Sequence, residues 1–266
     1  MEQARFKRRT ITMEVLQTQQ HKKRIRRAIF YSALFFIVTA VFLTVAFAVF
    51  FRVRNINING NERYSYEEII AALPVKADDN LYSFKTEDVE TAIKKAFPFI
   101  GNVSVTRSIP SHINIEITET DVAMYMHLAR DYYLLSSELR VLDRIVDAIQ
   151  IPENVIMLKA SQVHRCIVGE TASFIDTRSY DAITALYKNI SDNNIQTKVD
   201  SIDITSRFDV YLQYENRFKV YVGDMDYSDI KMQFLVEIIT DLDKRNTGTN
   251  GTIDISDYRE ASVELT

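Results

Sequence analysis

The sequence is poor in cysteine, glycine and proline. Its 266 residues include a single cysteine, Cys166, so no disulfide can form within the chain. Folded parts must therefore be stabilised by packed apolar cores. Six glycines and four prolines leave no Gly-rich or Pro-rich linker, and no internal repeat is present. This composition favours ordered domains along most of the chain.

The signatures of common active sites are also missing. No G-x-S-x-G, P-loop or G-x-G-x-x-G pattern occurs. The histidines lack metal-ligand spacing, and His164-Arg165-Cys166 would supply two ligands without a second pair. The acidic runs Asp78-Asp79 and Asp224-Met225-Asp226 do not continue as a calcium-binding EF loop. We therefore predict a protein without catalytic residues, cofactor or metal.

Charge is absent from one long run. Residues 28–51 form 24 uncharged, mainly apolar positions. At about 1.5 Å per residue a helix of this length reaches about 36 Å, enough to cross a hydrocarbon core of about 30 Å. Residues 1–27 carry nine Lys/Arg and two Glu, a net charge of +7. The pattern predicts a membrane-spanning helix at 28–51 behind a basic cytoplasmic tail at 1–27.

The alternative for this run is a cleaved signal peptide. Ala46-Phe47-Ala48 fits a cleavage pattern, but the apolar run exceeds the roughly 7–15 residues of a signal-peptide core and continues past the tripeptide. The span is therefore favoured. Because the whole chain has a net charge of −4, the 215 residues after the span carry −11, which argues against nucleic-acid binding there.

Strand and helix signals begin directly after the span. Alternation at 53–58 predicts a strand, which ends at an Asn59-Gly60-Asn61 turn. Ser65 and Glu68 have the spacing of a capping box, which predicts a helix that ends before Pro74.

A second helix and a hairpin follow. Thr86 precedes acidic residues, and lysines come near Phe97, an arrangement that suits the helix dipole. Strict alternation at 103–106 and 113–117 predicts a hairpin with one buried and one solvated face.

The remaining residues, 121–256, indicate one α+β domain. Apolar stripes predict helices at 179–190 and 228–242, whose apolar faces we expect to cover a sheet rather than line a groove. The predicted strands are 132–135, 140–142, 199–204, 209–213, 218–222 and 252–255.

A set of short motifs follows the span in a fixed order. They are Val53-x-x-Ile56-x-Ile58-x-Gly60-Asn61, Asn80-Leu81-Tyr82, Phe97-Pro98-Phe99-Ile100, Val103-x-Val105-x-Arg107-x-x-Pro110, Ile113-x-Ile115-x-Ile117-x-Glu119, Tyr133-Leu134-Leu135 with Val141-Leu142, Val222-Gly223-Asp224 with Lys231, and Gly248 to Ser256. Together they resemble the FtsQ/DivIB family of bacterial divisome proteins. Two departures stand out: Glu138 replaces the glycine usual in the first hairpin of the last domain, and only ten residues follow Ser256.

The resemblance implies an α+β fold in several parts. It places one transmembrane helix before a POTRA domain of β-α-α-β-β order at 52–120. A mixed α/β domain, called the beta domain, with an extended antiparallel sheet is expected at 121–257. Residues 258–266 would form a short tail or edge strand.

The resemblance also implies a non-enzymatic scaffold of the division septum. Such proteins bind the coiled-coil partners FtsB/DivIC and FtsL and help to control septal peptidoglycan synthesis, next to the septal synthase complex. The chain would be a single-pass protein of the cell membrane with a cytoplasmic N-terminus. Its other contacts would be membrane lipids, through the span and basic tail, and not nucleic acid.

Two surfaces are predicted to bind partners. Exposed strand edges suit recognition by strand addition, in which backbone hydrogen bonds supply affinity. The main surface is predicted at the C-terminus, as Phe234, Ile253, Ile255, Tyr258, Ala261, Val263 and Leu265. For Ile253 and Ile255 a place in the core of a middle strand is the favoured interpretation, and Tyr258, Val263 and Leu265 are the better candidates for contact. A secondary surface is predicted on the POTRA edge, at Val103, Val105, Arg107, Ile113 and Ile115.

Two other functional classes remain open. One is a membrane-anchored assembly or chaperone factor for exported proteins, since POTRA modules also occur there. An outer-membrane version needs a barrel of alternating strands about ten residues long, which the 146 residues after the module do not show. The other is a membrane-anchored cell-wall hydrolase.

Overall fold

A computed structural model describes the backbone of residues 2–245 and 250–266, and the side chains in those ranges from Arg24 onward. Its first element is a long helix, α1, at Glu2–Phe50. The part Arg24–Phe50 includes an 18-residue stretch with a mean hydropathy of 2.7, none of it buried, and is long and apolar enough to cross a membrane. Gly248, where the last predicted motif begins, lies outside the described residues.

The chain divides into two compact units. The first comprises Met1–Asn57, Val75–Lys85 and Arg107–Ile113. The second comprises Ile58–Pro74, Thr86–Thr106 and Asn114–Thr266.

A small three-stranded sheet has the order β1-β3-β2. The elements of this part are β1 Asn55–Asn59, α2 Tyr66–Ala72, α3 Thr86–Ala96, β2 Ile100–Ser108 and β3 His112–Glu119. Their sequence order is the predicted β-α-α-β-β. The predicted capping box is confirmed, because the Ser65 hydroxyl accepts from the Glu68 amide while the Glu68 carboxylate accepts from the Ser65 amide.

A nine-stranded sheet dominates the rest of the chain, in the order β14-β13-β12-β11-β10-β7-β4-β5-β6. Its strands are β4 Met124–Leu128, β5 Asp131–Leu135, β6 Val141–Ile145, β7 Ile156–Ala160, β10 Val199–Ser206, β11 Asp209–Tyr214, β12 Phe218–Gly223, β13 Gly251–Asp257 and β14 Glu260–Leu265. A short ribbon pairs β8 Val163–Arg165 with β9 Ser173–Phe174. A 3₁₀ turn occupies Ala148–Gln150.

The large sheet is mixed. Within the described ranges, β7 pairs in parallel with β4 and with β10, β12 pairs in parallel with β13, and the other neighbours are antiparallel. The predicted α+β class is confirmed. Antiparallel pairs lie at both ends of the sheet and, as β10–β11 and β11–β12, in its middle.

Two helices cover one face of this sheet and close the main core. They are α4 at Arg178–Asp192 and α5 at Ser228–Lys244, close to the predicted ranges. Their buried residues join inward residues of the strands in one cluster, among them Ile183, Leu186, Met232 and Leu235. A smaller cluster of Leu134, Leu142 and Ile145 contacts Phe99.

The β5–β6 turn forms without the glycine that the family resemblance led us to expect there. The left-handed residue is Leu139, with φ of +57°, and not Glu138. The Leu139 amide donates to the Ser136 carbonyl at 3.0 Å, and the Ser136 hydroxyl accepts from the amides of Glu138 and Arg140. Leu139 is fully buried in the main core, which holds it in this uncommon conformation.

Candidate partner-binding edge

The strand β14 lies at the edge of the nine-stranded sheet, and no described strand pairs with its outer side. The Thr266 amide donates to the Asn250 carbonyl at 2.8 Å, in line with the register that pairs Thr252 with Glu264. Directly bonded pairs alternate with unbonded pairs along an antiparallel ladder. The backbone N–H and C=O groups of Val263 and Leu265 therefore point away from β13, toward the open edge.

Apolar side chains accompany this open backbone. Val263 lies opposite Ile253, and so on the face of the sheet that carries the main core. Val263 is 38% exposed and Leu265 is 44% exposed, while Ala261 packs against the core. An incoming strand would find two half-exposed apolar side chains next to the free hydrogen-bonding groups.

Two residues predicted for this surface are corrected. Ile253 and Ile255 are both fully buried, because β13 is an inner strand whose alternate side chains face α5. Their side chains therefore belong to the main core in this structure. Phe234, on α5, is half-buried against the same core.

Aromatic contacts fix the turn that leads into β14. The Tyr258 ring stacks on the Tyr227 ring, with 4.2 Å between centroids. The Arg259 guanidinium lies 4.9 Å from the centre of the Tyr258 ring, and its Nε donates to the Tyr258 hydroxyl at 2.7 Å. Because Tyr227 immediately precedes α5, these contacts tie the β13–β14 turn to the start of that helix.

Close approach of β14 to β13 depends on a glycine. A Cβ on Gly251 would lie 2.2 Å from the Glu264 carbonyl oxygen, far inside contact distance. Gly251 thus allows the last residues of β14 to stay paired.

A buried lysine secures the loop before α5. Lys231 is 2% exposed, and its ammonium donates to the Val222 carbonyl at 3.1 Å and to the Asp224 carboxylate at 2.9 Å. The hydrogen bond from Lys231 holds the pKa of Asp224 below its usual value. Gly223, with φ of +71°, lets the chain turn between these two partners.

The predicted secondary surface is also corrected. Val103, Val105, Ile113 and Ile115 are buried, and β3 is the middle strand of its sheet. Arg107 is not buried, but its Nε donates to the Leu81 carbonyl at 2.8 Å and its guanidinium also donates to the Phe84 carbonyl. These side chains hold the fold, and the backbone of the edge strand β2 is itself partly occupied, because the Val105 amide donates to the Glu90 carboxylate at 2.9 Å.

A shallow groove of about 350 Å³ lies beside the start of α4. Its lining includes Arg178, Arg207, Phe208, Asp181 and Asp224. None of its lining residues is histidine or cysteine. Across the described side chains, no group of three or more His, Cys, Asp or Glu is arranged to hold a metal ion.

Sequence reasoning missed Tyr227 and Arg259. Tyr227 acts through its contact with Tyr258, 31 residues further along the chain, and no local periodicity marks such a pair. Arg259 acts on its neighbour Tyr258. The one available signal was the motif around Gly223 that leads into Tyr227.

Comparison with known proteins adds independent findings. Residues 51–120 match the family described as "POTRA domain, FtsQ-type". The chain is 20% identical over 246 residues to the cell division protein DivIB of Clostridium botulinum strain Hall, which covers 92% of this chain and 93% of that protein. It is 24% identical over 208 residues to DivIB of Clostridium acetobutylicum, covering 78% and 80%. A shorter match, 29% identical over 80 residues, joins it to DivIB of Staphylococcus aureus, covering 30% of this chain and 18% of that protein.

Proposed function

This chain belongs to the FtsQ/DivIB family, and we propose that it works in bacterial cell division as a membrane-anchored, non-enzymatic scaffold. Its proposed partners are coiled-coil division proteins of the FtsB/DivIC and FtsL kinds. Through them it would help to control septal peptidoglycan synthesis, in contact with the septal synthase complex.

The free edge of β14 carries this proposal. Its outward N–H and C=O groups at Val263 and Leu265 can hydrogen-bond an added strand, and the half-exposed side chains give that strand an apolar neighbour. Each added backbone hydrogen bond contributes about 0.5–1.5 kcal/mol net, so the apolar contacts must supply the rest of the affinity. Tyr258, Ala261, Val263 and Leu265 are the proposed contact residues, with Phe234 beside them.

The membrane topology is part of the proposal. The basic residues before the span favour a cytoplasmic N-terminus, which puts β14 outside the cell membrane. The proposed place of action is the division septum.

The first test is a pull-down of the full chain, in detergent, by FtsB/DivIC-like and FtsL-like coiled coils of the same organism. A version that ends after Asp257 lacks β14 and serves as the comparison. We expect capture of the intact chain and loss of capture of the shortened one. Equal capture of both would contradict the proposal that β14 binds the partner. No capture of the folded intact chain would contradict the proposed partners.

The hydrolase alternative has its own test. The purified chain is incubated with peptidoglycan, and soluble fragments are measured. The scaffold proposal expects no release above that of a heat-denatured sample, whereas release by the native protein alone would contradict it.

A further inference from the structure

A loop of the first unit is docked onto the end of the apolar helix. The Tyr82 ring lies 5.5 Å from the Phe47 ring and 5.4 Å from the Phe51 ring, measured between centroids. Phe47 and Phe51 also contact each other at 4.7 Å. These three rings form an aromatic cluster where the span ends.

Backbone hydrogen bonds fix the loop in this place. The Leu81 amide donates to the Phe51 carbonyl at 2.6 Å, and the Val53 amide donates to the Asp79 carbonyl at 2.8 Å. The Asp78 amide returns a bond to the Val53 carbonyl at 2.9 Å. The loop and the residues at the end of the helix therefore form one ordered surface, and no flexible linker follows the helix directly.

After the span, the first unit has a net positive charge, whereas the second unit has a net negative charge. After the span, the first unit carries five basic side chains, Arg52, Arg54, Lys76, Lys85 and Arg107, against Asp78 and Asp79. Its net charge there is +3. Since the whole chain has −4 and residues 1–27 have +7, the second unit has a net charge of −14.

We propose that this membrane-proximal surface, formed by the aromatic cluster and the basic side chains at 52, 54, 76 and 85, binds anionic phospholipid headgroups. Arg52, Arg54, Lys76 and Lys85 are all exposed. Tyr82 is 47% exposed, and tyrosine rings are enriched at the level of lipid headgroups, where one end of the ring is apolar and the other wet. Basic residues next to a span are attracted to anionic lipid within about one Debye length.

We favour a lipid surface over a soluble anion as the ligand because the basic side chains lie near the end of the apolar helix. Arg52 and Arg54 directly follow the apolar helix, and Lys76 and Lys85 lie in the segment whose Leu81 and Tyr82 dock on its end. With that helix inserted in a bilayer, headgroups are present there at high local concentration. The proposal needs the span to be inserted, but it does not depend on any division partner.

The sequence offers a direct probe, because the chain contains no tryptophan. Tyr82→Trp therefore places the single tryptophan of the chain in the aromatic cluster, where it can be excited selectively over tyrosine. The full chain carrying this change is reconstituted into vesicles of phosphatidylcholine alone or mixed with phosphatidylglycerol. Quenching by lipids brominated near the headgroup end of the acyl chain reports the depth of the ring.

We expect quenching in both vesicles and an increase of at least about twofold when phosphatidylglycerol is present. Lys76→Glu with Lys85→Glu should abolish that increase. Arg130→Glu with Lys159→Glu makes the same change in net charge on exposed residues of the second unit and should leave it intact. Free glycerol phosphate at matched concentration should not reproduce the effect, which separates lipid from a soluble phosphate.

Two results would overturn the proposal. One is quenching that does not change with lipid charge. The other is that both pairs of charge variants lose the phosphatidylglycerol-dependent increase in quenching to the same extent. Should Tyr82→Trp fail to fold, Ala77→Cys in a Cys166→Ser background carries a nitroxide at an exposed position of the same loop. Its collision accessibility to oxygen and to a nickel chelate then gives the same depth measurement.

Discussion

The phenol ring of Tyr258 lies stacked on that of Tyr227, with 4.2 Å between their centroids and 30° between their planes. Tyr227 has a left-handed backbone, with φ of +54°, directly before α5. Tyr258 lies in the turn between β13 and β14. The stack therefore links the proposed binding edge to the start of a helix whose buried residues join the main core.

The stack should be measurable as a coupling energy. Tyr227→Ala and Tyr258→Ala are each expected to lower the unfolding free energy, and the double variant should lose about 0.5–1.5 kcal/mol less than their sum. Urea unfolding of the full chain in detergent gives the three values. A coupling of zero would show that the rings are neighbours without mutual stabilisation.

Gly251 gives a way to move β14 without touching its side chains. Gly251→Ala places a methyl group 2.2 Å from the Glu264 carbonyl oxygen, so the end of β14 must shift. We expect hydrogen exchange of β14 amides to quicken and partner capture to fall at least about tenfold, because the added strand needs an ordered edge. Thr252→Ala, on an exposed neighbour, is the control and should change neither. Unchanged capture with Gly251→Ala would argue that β14 is not the contact.

The Lys231–Asp224 pair predicts a pH-dependent stability. Lys231→Met removes charged hydrogen bonds from a buried site and should cost about 2 kcal/mol at neutral pH. Because the folded-state pKa of Asp224 is lowered by Lys231, the pair stabilises the fold above the unfolded pKa of about 3.9 and loses this effect as the pH falls through the folded value.

Urea unfolding of both proteins at about pH 6 and about pH 3 tests this sign. The difference in unfolding free energy between the original protein and Lys231→Met should shrink at the lower pH. A difference that grows on acidification would contradict the assigned role of Asp224.

Cys166 should be slow to react. Burial raises the pKa of its thiol to about 11, so little thiolate is present near neutral pH. The folded chain should therefore react with Ellman's reagent at least about tenfold more slowly than the chain in urea at the same pH. A folded rate equal to the unfolded rate would show that the thiol is not buried in solution.

Local patterns predicted much of the fold. The Ser65–Glu68 capping box, the stripes of α4 and α5, and the alternation of β10 to β12 are set by neighbours in sequence, and the structure follows them. Two strands of the large sheet, β4 and β7, were missed. They pair with each other in parallel, so no turn joins them, and the tight turn from β4 to β5 runs through Ala129-Arg130, which contains neither glycine nor proline.

The choice of contact residues met a related limit. Ile253 and Ile255 come from an alternating stretch and Val103 and Ile115 from the predicted hairpin edge, but alternation marks the side chains that face the core. A contact surface at an edge is defined by which strand lies outermost. That order arises from pairings distant in sequence, so only the structure separates Val263 from Ile253.

The central claim is that a coiled-coil division partner adds a strand to the outer side of β14. Val263→Pro tests it most directly, because the Val263 N–H points away from β13 and its loss leaves the β13–β14 ladder intact. The measurement is the affinity of the full chain for the FtsB/DivIC-like coiled coil, with Val263→Thr as the control that keeps the N–H. We predict that Val263→Pro weakens binding at least about tenfold at unchanged stability, while Val263→Thr binds nearly as the original does. Equal affinity of all three proteins would contradict strand addition at this edge.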